Sequence, residues 1–164
     1  MDRATIQDLY EYTGFAWEQI AGDVVAAGEE IIARPARGSG WPALRDCFAH
    51  MGFAYDVWVT RLNGNAMLEL PNEASWQEVV AYRHSVRERF KAYLDELSDD
   101  ELHVVRDVEA FGGTLRYPPA DILANVVTHD IAHLGDVSTL LYQLGLEMPS
   151  VGYRFYTAAK YEYS

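Results

Sequence analysis

The segment between Pro118-Pro119 and Gly145 constrains the fold more than any other part of the chain. Apolar residues recur there at spacings of three and four, which predicts one long amphipathic helix. A proline pair before a helix and a glycine after it are typical boundaries. A helix of this length buries its apolar stripe only against other long helices, so the segment predicts a helical bundle. The stripe expected to face inward consists of Ile122, Val126, His129, His133, Val137 and Leu140.

Three further segments carry the same periodicity. A first helix is expected over about residues 4–27, and a second from Pro42 to just before Asn63-Gly64. A third begins at Ser75, where the Ser75-x-x-Glu78 spacing is typical of a capping box. Together with the segment after Pro119, these helices predict an all-α four-helix bundle.

Two shorter elements complete the expected architecture. Residues 103–117 are rich in β-prone side chains around Gly112-Gly113, which favours a small hairpin before the fourth long helix. A short aromatic helix is expected over Tyr153–Tyr161. We find no repeat or linker, so residues 1–164 are expected to form a single domain.

Charge and cysteine content exclude several classes of function. The net charge of −12, without any basic run, argues against nucleic acid binding. Cys47 is the single cysteine, so an internal disulfide and a cysteine-based zinc cage are both ruled out. The N-terminal residues lack an apolar signal segment, and no apolar run reaches the length of a membrane span. We therefore expect a cytoplasmic protein that does not bind membranes.

Three histidines are the strongest candidates for a functional site. His129 and His133 lie four residues apart and therefore share one helix face. His50 lies beside the apolar face of the second helix. Two imidazoles at this spacing can bind one metal ion, and a third from a neighbouring helix would complete the site while leaving coordination positions open. The alternative is that these histidines are ordinary core residues that never meet.

Neighbouring polar residues have several possible roles. Asp136 lies three residues after His133 and is the candidate catalytic residue, as a base for a bound water. It could instead be a fourth ligand or the acceptor for an imidazole N–H. Cys47 is either a further ligand or a small buried apolar residue. His84 and His103 lie among charged or strand-like residues and are expected at the surface.

The string His129-Asp130-Ile-Ala-His133 is similar to the H-E-x-x-H motif of zinc proteases, with aspartate in place of glutamate. Aspartate is one methylene shorter, and no histidine follows His133, so a protease is disfavoured. Asp130 is expected off the metal-facing side, where it solvates or orients an element. The aromatic residues at helical spacing are expected in the core rather than in a pocket wall: Trp17, Tyr55 and Trp58.

Two runs resemble a known family. They are residues 44–50 (LRDCFAH), which end at His50, and residues 121–145, which contain both other histidines and end in LYQLG. Together with the following Met148-Pro149, these runs resemble the DinB-like (DNA-damage-inducible) superfamily of metal-binding four-helix bundles.

The resemblance implies an up-down-down-up helix order, a homodimer, and a divalent ion, zinc or nickel, on His50, His129 and His133. It also implies a transferase or isomerase that uses a low-molecular-weight thiol such as bacillithiol, mycothiol or glutathione. One departure concerns the residues after the last ligand, where the family commonly has Arg-Gly-Gln and this chain has Leu134-Gly135-Asp136.

We therefore expect a divalent-metal protein that activates a low-molecular-weight thiol or a water molecule for reaction with a small-molecule substrate. A thiol transferase is the leading hypothesis, and a metal-dependent hydrolase is its competitor. A non-catalytic, metal-stabilised dimeric binding or stress protein is the alternative from another class. A substrate-sized cavity beside the ion would favour an enzyme, whereas a sealed site would favour a structural ion.

Overall fold

Helices dominate the computed structural model, which describes residues 1–37 and 40–161. The described residues contain four long helices and two short ones, together with a 3₁₀ turn over Glu29–Ala33. The long helices are α1 (Arg3–Ala27), α2 (Leu44–Asn63), α3 (Trp76–Glu96) and α5 (Pro119–Gln143), and the short ones are α4 (Asp99–His103) and α6 (Tyr153–Tyr161). The predicted all-α bundle and its short C-terminal helix are confirmed. The proposed domain over 1–164 also includes residues 38, 39 and 162–164, which lie outside the described residues.

The predicted hairpin is also present, within narrower limits than the sequence suggested. Strands β1 (Arg106–Ala110) and β2 (Gly113–Tyr117) pair antiparallel, with Val108 opposite Leu115. Their turn is Phe111-Gly112, and both residues have positive φ, at 54° and 79°. Positive φ at both central positions is the geometry that suits the right-handed twist of a tight hairpin.

Local signals explain most helix boundaries. The capping box at the start of α3 is formed, with the Ser75 N–H donating to Glu78 Oε2 over 2.7 Å. The start of α2 was predicted two residues too early, because an isolated bridge between Pro35 and Ala43 holds the chain extended. The Ala36 N–H donates to the Pro42 carbonyl over 3.0 Å in that bridge.

The core fills the space between the four long helices. Most of the inward stripes expected from the sequence are buried, including Ile6 and Val24 of α1 and Val126 and Leu140 of α5. None of the helices in the described ranges combines the length and the apolar character that crossing a bilayer requires.

A buried polar network joins three of the helices. Asp130 of α5 is 1% exposed and accepts hydrogen bonds from the Arg83 guanidinium of α3 over 2.8 and 3.3 Å. The Tyr55 hydroxyl of α2 also donates to Asp130 over 3.2 Å, and Arg87 Nη1 lies 3.8 Å from it. Asp130 therefore lies off the metal-facing side, as expected, and its burial excludes a solvating role.

Candidate metal centre

The three predicted ligands come together between α2 and α5. His129 Nε2 lies 3.0 Å from His50 Nε2 and 3.1 Å from His133 Nε2. One nitrogen from each ring lies within 4.8 Å of the other two, and all three rings are half-buried. The convergence confirms that these histidines meet, and it excludes the reading in which they are separate core residues.

Asp136 determines which nitrogen of His133 faces the cluster. Its Oδ2 lies 2.8 Å from His133 Nδ1 and accepts a 3.0 Å hydrogen bond from Trp41 Nε1. The Trp41 hydrogen bond, more than the contact with His133, holds the pKa of Asp136 below its usual range against the opposing effect of burial. An ionised carboxylate only accepts, so Nδ1 of His133 carries its proton. In the neutral ring the lone pair is then on Nε2, towards the cluster.

The environment of His50 and His129 disfavours the protonated form of their imidazoles. Burial lowers the pKa of His50, and positive charge on His133 acts in the same direction against the weaker pull of Asp136. Burial also lowers the pKa of His129, assisted by charge on His133 and His50. Neutral imidazole is the form that binds a metal, so both shifts favour a ligand role.

The distances fit a divalent ion. Two metal–nitrogen bonds of about 2.0–2.1 Å place their nitrogens about 2.9 Å apart at a bond angle of about 90° and about 3.3 Å apart at the tetrahedral angle. The observed separations of 3.0 and 3.1 Å lie between these two values. Within the described residues, the buried Nδ1 of His129 has no hydrogen-bond partner, so this ring lacks the second contact that His133 has. Three imidazole nitrogens suit zinc, nickel, copper or iron, and their geometry alone does not select one of these metals.

Trp41 covers one side of the cluster. Its ring centroid lies 4.9 Å from that of His50 and 5.5 Å from that of His133. The sequence analysis did not identify this residue. Its place three residues before the start of α2, the helix that carries His50, was the only signal that could have indicated it. A tryptophan that holds Asp136 and contacts two candidate ligands contributes both packing and orientation.

Cys47 lies near Asp136 and His133 but is shielded from solvent. Its thiol, a carboxylate oxygen of Asp136 and a ring nitrogen of His133 all lie within 4.8 Å of one another. The side chain is fully buried, and burial raises the pKa of the thiol to about 12, with the nearby Asp136 acting in the same direction. In the protein without metal, Cys47 is therefore a neutral thiol, which agrees with the prediction of a small buried residue.

A cleft of about 850 Å³ opens beside His50. Arg45, Phe53, Met67 and Tyr82 contribute to its walls, so charged, apolar and aromatic surfaces are all present. The volume lies within the range typical of small-molecule sites. A substrate-sized space therefore reaches one of the three candidate ligands.

The remaining candidates occupy the expected environments with one difference. His84 and His103 are exposed, whereas Trp17 and Tyr55 are in the core. Trp58 is only partly buried and lines a second pocket. The catalytic assignment of Asp136 stays a prediction.

Comparison with known proteins places the chain in one family. No curated protein matched the chain in a sequence search. The sequence model described as the DinB family matches residues 3–163, a range that includes all six helices and the three clustered histidines. The chain therefore belongs to the DinB family.

Proposed function

We propose that this protein is a metal-dependent enzyme that activates a low-molecular-weight thiol and transfers it to a small electrophilic substrate. The observation that carries the proposal is the convergence of three imidazole nitrogens beside an open cleft. Membership of the DinB family supports the metal site. The thiol and the transfer reaction rest on the resemblance to thiol-using relatives.

Each residue of the site has a specific role in this proposal. His50, His129 and His133 would hold a divalent ion, zinc or nickel first, through their Nε2 atoms. A bound ion of this kind supplies a Lewis acid that lowers the pKa of a thiol or water. Asp136 keeps His133 in the required tautomer and orientation. Trp41 packs on two of the rings and limits the access of bulk water from its side.

The cleft beside His50 favours an enzyme over a purely structural ion. Structural sites are closed by four protein ligands, whereas catalytic sites keep a position for substrate. Asp136 contacts His133 through Nδ1, on the side of the ring away from the clustered Nε2 atoms, so it is poorly placed as a fourth ligand to the same ion. The cleft provides space for a small molecule next to His50.

The transfer activity can be tested directly with a fluorogenic electrophile. Zinc- or nickel-loaded protein is mixed with glutathione, bacillithiol or mycothiol and with monochlorobimane, whose chloride is displaced as the carbon–sulfur bond forms. We expect metal-dependent adduct formation above the uncatalysed rate with at least one thiol, and only the uncatalysed rate with His129→Ala. His84→Ala is the matched control, because His84 is an exposed histidine away from the site. Absence of transfer by the fully metal-loaded protein with all three thiols would contradict the proposed reaction.

The proposal also includes a cytoplasmic location and a homodimer. The single buried cysteine fits a compartment that does not form disulfides. The homodimer rests on the family resemblance, and sedimentation velocity of the purified protein tests it.

A further inference from the structure

A second pocket lies at the hairpin, away from the three histidines. Its volume is about 370 Å³, and seven side chains from α2, the hairpin and α5 line it. Five of these seven are apolar or aromatic, and the aromatic rings come from α2 and from the hairpin. The apolar and aromatic lining residues are Trp58, Phe111, Leu115, Tyr117 and Ile122.

Phe111 occupies the turn at a conformational cost. Its φ of 54° is left-handed, a region that Asn and Gly adopt readily and bulky side chains rarely adopt. The side chain is nevertheless 80% exposed, so burial does not compensate for this conformation. Its ring makes an edge contact with Trp58, with centroids 5.7 Å apart. A strained, exposed aromatic residue at a pocket rim is typical of a ligand contact.

Arg61 fixes the two rings relative to each other. Its guanidinium carbon lies 4.8 Å from the Phe111 ring centroid and 5.3 Å from that of Trp58. Arg61 follows Trp58 by three residues on α2, so the pair comes from one helix face. The hairpin tip therefore contacts α2 through Arg61 as well as through Trp58.

The pocket and the metal centre lie along the same pair of helices. His50 and Trp58 are eight residues apart on α2, with Ala54 midway between them. His129 and Asp121 are eight residues apart on α5, and Asp121 lines the pocket. Eight helical residues span about 12 Å.

The order of contacts shows that α2 and α5 run antiparallel, as the predicted helix order requires. His50 meets His129 at one level, whereas Trp58 and Asn125 line the same pocket at the other. Spacings of four residues keep Asn125 on the same side of α5 as His129. The pocket therefore lies about two helical turns from the metal centre on both helices.

We propose that this pocket binds an aromatic ring at the far end of the substrate, while the reactive end of the substrate lies at the three histidines. The proposal rests on the proposed function for the role of the histidines. The apolar walls supply the ring contacts, and Asp121 and Asn125 at the pocket supply polar atoms for a hydroxyl or amine on the ring. The substrate class is then an elongated aromatic electrophile of about 12 Å between its two ends.

The pocket itself is tested without metal, so that this test is independent of the proposed function. Calorimetric titration of the metal-free protein with 2-naphthol should show saturable binding that weakens roughly tenfold in Phe111→Asn. Asparagine tolerates left-handed backbone, so this change removes the ring without disturbing the turn. Tyr142→Ala is the matched control, because Tyr142 is 82% exposed and lies outside the pocket. Absence of binding, or equal affinity in Phe111→Asn, would contradict the claim that this pocket binds an aromatic ring.

The link to the metal centre is tested with zinc-loaded protein and two naphthyl-alkyl thiols. One has an alkyl linker that is too short to span about 12 Å, and the other has a linker that reaches it. We expect the long compound to bind at least roughly tenfold more tightly, because both ends bind at once. The higher affinity of the long compound should be lost in Phe111→Asn and retained in Tyr142→Ala. Equal affinities for the two linkers in the wild-type protein overturn the extended site.

If the proposed metal-dependent function is wrong, the same experiments give a different result. In that case the protein binds no zinc and the thiols show no linker advantage, while 2-naphthol still binds in a Phe111-dependent way. That result overturns the assignment of the pocket to the substrate of a metal enzyme.

Discussion

Asp136 Oδ2 lies 2.8 Å from Nδ1 of His133, three residues away on the same helix. This contact sets the tautomer of His133 and directs the Nε2 lone pair towards the other two histidines. Trp41 Nε1 donates a hydrogen bond to the same carboxylate oxygen over 3.0 Å. The candidate metal centre therefore includes a positioning carboxylate in addition to its three imidazoles.

Replacement of Asp136 should weaken metal binding without abolishing it. Loss of an outer carboxylate that orients a histidine ligand typically costs about 10–100-fold in metal affinity. We expect Asp136→Ala to show a loss in this range when zinc affinity is measured by competition with a chromogenic chelator. Asp100→Ala is the matched control, because Asp100 is exposed on α4. Unchanged affinity in Asp136→Ala would exclude the positioning role.

A second substitution at this position, Asp136→Asn, tests the predicted catalytic role of Asp136. A residue that acts only by orienting His133 should leave the turnover of the fully metal-loaded enzyme nearly unchanged. A base for a bound water or thiol should lower turnover at saturating metal and alter the dependence of rate on pH. Steady-state rates of metal-saturated Asp136→Asn over a pH series distinguish the two roles.

Breaking the buried ion pair on the other side of α5 should strongly destabilise the fold. Asp130 and Arg83 are almost fully buried and lie 2.8 Å apart. Removing one partner leaves an uncompensated buried charge, at a cost of about 3–5 kcal/mol. We expect Asp130→Asn to lower the free energy of unfolding in urea by roughly that amount.

A surface pair provides the control for this experiment. Lys91 and Asp95 are about half-exposed and lie one turn apart on α3. Exposed pairs of this kind contribute little to stability, because solvent screens the two charges. A loss in Asp130→Asn no larger than the loss in Asp95→Asn would show that the buried pair does not hold α3 and α5 together.

The metal-free protein should lose stability as the pH falls below about 6.5. Burial lowers the pKa of His50 and of His129 in the folded state, so the unfolded chain binds more protons in this range. The contribution of these rings is therefore fully present above the unfolded pKa and is lost as the pH falls through the folded values. Urea unfolding of the metal-free protein between about pH 7.5 and pH 5 measures how the free energy of unfolding changes with pH.

A double variant tests whether His50 and His129 cause this pH dependence of stability. His50→Gln/His129→Gln should flatten the dependence in this window, whereas the exposed His84→Gln should leave it unchanged. An equal slope in the wild-type protein and the double variant would show that other groups cause the loss.

Metal binding should stabilise the folded chain. A ligand that binds only the native state at about 100 times its dissociation constant adds about 2.7 kcal/mol to the free energy of unfolding. We expect zinc or nickel to raise the urea midpoint of the wild-type protein and a chelator to reverse the change. Equal metal-induced stabilisation of His129→Ala would argue for binding elsewhere on the chain.

The helices and the three histidines could be predicted because their signals are local. Apolar spacing gave the long helices, the Ser75–Glu78 pair gave the start of α3, and the four-residue interval put His129 and His133 on one face. Family resemblance in addition linked them to His50. None of these signals requires knowledge of how the helices pack.

Contacts between distant residues could not be predicted in the same way. Arg83 and Arg87 are buried on α3, and no local pattern in the sequence predicts that Asp130 is their partner. The start of α2 depends on the Pro35–Ala43 bridge, which forms only when the chain folds back. Trp41 acquires its role by contacting Asp136, 95 residues away.

The measurement that tests the central claim most directly is the metal content of the purified, tag-free protein beside His50→Ala, His129→Ala, His133→Ala and His84→Ala. Inductively coupled plasma mass spectrometry after reconstitution with zinc or nickel and desalting gives the content per chain. We expect about one ion per chain in the wild-type protein and in His84→Ala, and little or none in the three site variants. No metal in the wild-type protein, or an equal content in all variants, would contradict a three-histidine metal centre.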